Sequence, residues 1–135
     1  MRRPLLAVLV TLAAVLALLG TAVAGHPRQP ALLTIDPDSL QQLAAAGRPV
    51  TPVDLRPVEA YQDGRLPGAR SIPLSSLTAR QREVPADSLV VLYGADGLEE
   101  ATTAYRYLRA AGHVNVFVLE GGFAAWQSHG YGVER

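Results

Sequence analysis

LVVLYGADGLEEATTAYRYL, residues 89–108, is the stretch whose reading decides the fold. Leu89 to Tyr93 are apolar and β-favouring, which predicts a buried strand. The next six residues, Gly94-Ala95-Asp96-Gly97-Leu98-Glu99, read as a loop that opens directly into an amphipathic helix. Leu98, Ala101, Tyr105 and Leu108 follow a 3-4-3 spacing that places them on one helical face, and Gly112 is placed to stop the helix. In a strand-loop-helix unit of this kind the loop amides and the first free helical N–H groups point the same way and form a cradle for a small ligand. Asp96, Glu99 and Glu100 make the mouth of the cradle acidic. They predict a capping box, with Asp96 accepting from the Glu99 amide, Glu99 reaching back to the Asp96 amide and Glu100 complementing the helix dipole.

On either side of this unit, strands and helices alternate. Residues 31–35 read as a short strand, and Asp36-Pro37-Asp38-Ser39 then opens a helix with a capping aspartate and proline in the first turn. Leu40, Leu43 and Ala44 form its inward stripe, and Gly47 ends it. Residues 50–55 read as a second strand, irregular at its start because of Pro52. A helical turn follows Pro57, then a glycine- and proline-punctuated turn over 64–68, then a short strand near 69–72. Residues 75–82 form a small helix with Ser75 or Ser76 as its cap. Residues 114–119 supply the last strand, and residues 122–128 the last helix, stopped by Gly130. Such alternation predicts an α/β fold with a parallel sheet covered by helices on both faces.

The 135 residues allow one domain of ordinary size, and hydrophobic residues at 49% exceed what such a domain needs. The excess sits at the front. Leu5 to Leu19 is apolar apart from Thr11 and follows Arg2 and Arg3, which reads as an export segment. Two fates fit residues 1–24. Ala22-Val23-Ala24 offers small residues for cleavage as a signal peptide, while the uncharged run from Leu5 to Ala24 matches the roughly 20 residues of a single-span membrane anchor. Either fate places the domain in the periplasm or on the extracytoplasmic face of the membrane. Residues 25–31 read as a linker and 32–135 as the domain. Cleavage would take Arg2 and Arg3 from the 12 basic residues, leaving 10 against 12 acidic ones. The arginines are dispersed, so no nucleic-acid partner is expected. There is no cysteine, which excludes disulfides and any cysteine-borne sulfur chemistry on this chain.

Residues 89–108 resemble the active-site segment of rhodanese domains, in which a strand leads into the loop C-x-x-G-x-R and then a helix. Four other segments carry the same resemblance. Asp54-Leu55-Arg56 with Glu59 and Tyr61 is similar to the family's strand-plus-turn signature. Gly64-Arg65-Leu66-Pro67-Gly68-Ala69 and the following Ile72-Pro73-Leu74 are similar to its G-H-I-P-G-A and I-P-L runs. Asn115-Val116 through Leu119, Gly121, Gly122 and Trp126 resemble its closing strand and helix. The resemblance implies a rhodanese-like fold of about five parallel strands, with the loop after the central strand as the site. It also implies a vacated site, because the family's nucleophilic cysteine falls on Gly94 and its loop-closing arginine on Glu99.

On this reading no residue is catalytic and no cofactor is needed. The degenerate loop Gly94, Ala95, Asp96, Gly97, Leu98 and Glu99 is the candidate surface for a protein partner or small ligand. An alternative is an accessory role beside a sulfur-transfer or thiol-redox enzyme whose reactive cysteine lies on a partner. Asp54, Arg56 and Glu59 are read as structural, with Arg56 bonding Glu59 and nearby carbonyls to fix the turn. His26, His113 and His129 fit no zinc spacing, and Ser128-His129 has no carboxylate placed by sequence to complete a triad, so no metal is expected. Phe123 and Trp126 read as core anchors.

Overall fold

Five strands, β1 (Thr34–Ile35), β2 (Val50–Asp54), β3 (Arg70–Ser71), β4 (Leu89–Tyr93) and β5 (Val116–Leu119), form one sheet in the order β1-β5-β4-β2-β3. All four pairings are parallel. The helices are α1 (Pro37–Ala45), α2 (Val58–Asp63), α3 (Leu77–Arg80), α4 (Glu99–Ala110) and α5 (Gly122–Ser128). This computed structural model describes Gly25 and residues 30–135. The expected export segment, His26 and most of the linker lie outside the described residues. Within them no helix is long and apolar enough to cross a membrane.

The strand that organises the sequence is the middle of the sheet. Val90, Val91, Leu92 and Tyr93 have no exposed surface, which is why the strand reads as continuously apolar. Its side chains alternate between two cores. Val90 and Leu92 join Val53, Val116 and Val118 under Leu77 of α3 and under Ala101, Ala104, Tyr105 and Leu108 of α4. Val91 and Tyr93 join Leu119 under Leu40 of α1 and Trp126 of α5. Helices therefore cover both faces, and the resulting double burial is the main stabilising term for the sheet.

Four local expectations are corrected. β2 runs straight through Pro52, which pairs with Val91 of β4. The Leu55 N–H bonds β4 and the Asp54 carbonyl bonds the β3 side, so by alternation the nitrogen of Pro52 faces the β3 side. There β3 pairs only Val53 and Asp54, and no ladder bond is lost. Leu98 lies at the N-cap of α4 and is 39% exposed, so Ala104 completes the inward stripe in its place. In α1, Leu40 is buried but Leu43 is half-buried and Ala44 exposed, a narrower stripe than the spacing suggested. Neither Ser75 nor Ser76 caps α3 through its side chain. Residues 74–76 form a 3-10 turn, and Ser76 already has helical dihedrals where a side-chain cap needs extended backbone. At α1, by contrast, Asp36 is extended and accepts from the Ser39 amide at 2.9 Å.

Beyond α5 the chain returns across the second core. The Trp126 indole donates to the Gly132 carbonyl at 2.9 Å, and Arg65 and Glu134 exchange two backbone bonds of 3.0 and 2.9 Å. The Tyr131 hydroxyl donates to Asp38, and the His129 ring meets the same carboxylate oxygen at 3.0 Å. Tyr131 first, then His129, hold the Asp38 carboxyl below its ordinary value. A carboxyl lowered by folding stabilises the native state above its unfolded value, near 3.9, and loses that contribution as pH falls through the lowered one. The Asp38 contribution to the tie between tail and α1 is therefore expected to be lost only as pH falls below about 4. Trp126 fluorescence during acid titration checks this, and Asp38→Asn should remove the acid-dependent part.

Candidate functional site

Parallel sheets place ligands beyond the carboxyl ends of their strands, and the loop from Gly94 to Glu99 leaves the carboxyl end of β4 there. Its shape is held from the side. The Phe123 and Ala124 amides, in the first turn of α5, donate to the Gly94 and Ala95 carbonyls at 3.0 and 2.8 Å. A trans peptide points its C=O and N–H opposite ways, so the Ala95 and Asp96 amides face away from α5. Gly121 and Gly122 make this approach possible with φ of 71° and 60°. A Cβ on Gly122 would stand 2.7 Å from the Gly94 oxygen.

Gly94 is buried, whereas Ala95 through Glu100 are exposed. Gly94, Ala95, Asp96, Gly97, Glu99 and Glu100 line a concavity of about 120 Å³. That is well below the ~300–1,000 Å³ of pockets that enclose drug-sized ligands. It suits a small group or the tip of a side chain. A larger groove of about 470 Å³ lies at the opposite ends of the strands, between Arg48, Pro49, Leu89 and Asn115. It is open, and the Asn115 amide is already bonded to the Pro85 and Ser88 carbonyls.

The expected capping box does not form. α4 begins at Glu99 with Leu98 as its N-cap and no side-chain cap bond. Asp96 is two residues too early for the cap, and Glu99 is the first helical residue where the box needs the third. Glu100 leans back over the loop instead. A Cβ on Gly94 would lie 3.0 Å from Glu100 Oε2 and 3.3 Å from Glu100 Cβ. The place of a side chain at 94 is thus partly taken by a carboxylate, a return contact that no local pattern announced.

Directly behind the loop is a buried polar cluster. Asp54 has no exposed surface and Arg56 only 7%. The guanidinium grips both carboxylate oxygens, with Nε to Oδ1 at 3.0 Å and Nη2 to Oδ2 at 2.7 Å, and the Arg56 amide adds a bond of 3.0 Å. The Tyr93 hydroxyl donates to Oδ2 at 2.8 Å and accepts from the Leu66 amide at 3.3 Å. Burial, then the charge of Asp54, raises the Tyr93 phenol well above its usual value, so it remains a donor. Arg56 Nη2 also donates to the Gly64 carbonyl at 2.6 Å, and its guanidinium lies 3.9 Å from the centre of the Phe123 ring. The structural role expected of Asp54 and Arg56 fits this geometry, but the expected bond to Glu59 is corrected. Glu59 is exposed on α2, and the bidentate geometry goes to Asp54 two residues back.

The remaining candidates do not converge. Among the described residues no cluster of side chains is arranged to hold a metal. His129 does find a carboxylate, Asp38, that sequence reasoning missed, but the Ser128 hydroxyl is turned to the Ala125 carbonyl, so no triad forms. Trp126 is a core anchor as expected, and Phe123 packs half-buried beside that core.

Comparison with known proteins agrees with this architecture. A sequence model of the rhodanese-like domain matches residues 36–129. A sulfurtransferase of Allochromatium vinosum is 35% identical over 96 residues, covering 71% of this chain and 89% of that protein. The thiosulfate sulfurtransferase GlpE of Pseudomonas entomophila is 33% identical over 96 residues, covering 70% and 84%. The crystal structure of the Alr3790 protein from Anabaena superposes with a TM-score of 0.68 at 33% identity, over 74% of this chain and 81% of that one.

Proposed function

The chain belongs to the rhodanese-like domain family, and from that premise we propose that it is a binding module of the sulfurtransferase fold that does not itself transfer sulfur. The observation that carries this reading is the loop itself, whose Gly94 and Ala95 carbonyls are held by the Phe123 and Ala124 amides while Gly94 stands where the family resemblance puts the nucleophile. With no cysteine among the 135 residues, the chain offers no sulfur atom on which a persulfide can form. Loss of a nucleophile costs on the order of a millionfold in rate. Asp96, Glu99 and Glu100 add a negative potential that disfavours thiosulfate and similar anions. The exposed rim from Ala95 to Glu99 is the surface we assign to a partner protein or small ligand. The uncharged N-terminal run supports a position outside the cytoplasm, either released or tethered.

Purified full-length protein is expected to convert thiosulfate and cyanide no faster than a protein-free control, and turnover at an ordinary sulfurtransferase rate would overturn the proposal. Affinity capture from membrane and periplasmic fractions tests the binding role. A partner retained by the wild type should be lost when Asp96, Glu99 and Glu100 are changed together. N-terminal sequencing of the captured chain distinguishes a cleaved from a tethered protein.

A further inference from the structure

We propose that Glu100 is the specificity-determining residue of the loop: it holds the place of the missing nucleophile and excludes thiolates from it. This rests on the reading of the loop as a vacated site and adds the residue that keeps it closed. Glu100 belongs to the first turn of α4, a different element from the strand exit that carries Gly94. Yet three of its atoms, Oε2, Cβ and Cδ, stand 3.0, 3.3 and 3.4 Å from where a Cβ on residue 94 would be. The carboxylate can swing away by rotation, but the Cβ is fixed to the helix. A side chain at 94 therefore meets a steric limit as well as a charge.

The electrostatic part runs against the usual behaviour of such a position. A thiol at a helix N-terminus ionises readily, because the free N–H groups favour the thiolate. Glu100 sets a carboxylate beside the Cβ that would carry that thiol. The neighbouring charges do not offset it. Asp96 and Glu99 have the same sign, Arg56 is committed to Asp54 and Gly64, and α5, sequence GFAAWQS, has no charged side chain. Loss of sulfur chemistry is thus written at two positions, and restoring a cysteine at 94 alone leaves the site closed.

Gly94→Cys in the full chain provides the test, since the introduced thiol has no competitor in a cysteine-free sequence. The pH dependence of its alkylation by iodoacetamide should give a pKa at or above the ordinary value of about 8.5. Adding Glu100→Gln should lower that pKa by about one unit or more. Equal values in the two backgrounds would overturn the assignment. Stability supplies an independent reading. Gly94→Ala should lower Tm when Glu100 is present and by at most half as much beside Glu100→Gly. If Gly94→Cys folds only beside Glu100→Gly, the steric part is upheld; if it folds in neither background, something other than Glu100 rejects the side chain and the proposal fails. Sulfur transfer by the wild type would instead refute the functional reading, so the two failures are separable.

Discussion

Replacing Arg56 with alanine is expected to destabilise the fold by about 3–5 kcal/mol, because it leaves a buried carboxylate without its counter-charge. Asp54 has no exposed surface of its own. The substitution also releases the Gly64 carbonyl and removes the cation from the Phe123 ring. For a domain of this size the loss corresponds to a fall in Tm of about 10–20 °C. Urea denaturation of Arg56→Ala, and of Arg56→Met paired with Asp54→Asn, checks the cause. The pair should recover at least half of the loss, since neutralising both partners removes the stranded charge while Tyr93 still finds an acceptor. If the double variant is as unstable as the single one, the cluster contributes by shape and not by charge.

The second large effect is expected at Gly122. Alanine there would have to adopt φ near 60° and place its Cβ 2.7 Å from the Gly94 oxygen. The chain can respond by backing α5 away, which breaks the two bonds from Phe123 and Ala124 to the loop. Strain and lost bonds together amount to about 2–4 kcal/mol. The signature is local as well as global. Hydrogen exchange at residues 94–99 should quicken in Gly122→Ala more than at the β2–β4 ladder. A variant with uniform quickening would show that α5 supports the whole sheet and does not set the loop in particular.

Residues 89–93 and 122–128 emerged from the sequence with the bounds they have in the structure, because each is a short apolar or amphipathic run between clear stops. Asp36 declared its cap through the proline behind it. What stayed hidden depends on how elements turn against one another. Whether Asp96 or Leu98 begins α4 is a matter of two residues, and that shift decides whether Asp96 caps the helix and where Glu100 falls. The proline within residues 50–55 suggested an irregular start to β2, because a sequence does not say which edge its missing N–H faces. The partner of Arg56 was sought one helical turn ahead, at Glu59, and lies two residues behind at the end of an extended strand. The ties from His129 and Tyr131 to Asp38 span 91 and 93 residues, beyond any local pattern.

The strand order has a consequence for how the protein is made. β4 obtains its neighbour β2 from chain already synthesised, but its other neighbour, β5, ends only at Leu119. At a ribosome's pace of about 5–20 residues per second, the Val90 to Leu92 edge waits roughly one to five seconds with its backbone groups and apolar side chains uncovered. β1, the first strand to emerge, waits longest, since Thr34 and Ile35 pair with Val118 and Leu119. Nascent chains are thus obliged to remain open until their last quarter appears, and during that interval a chaperone has both a reason and a place to bind.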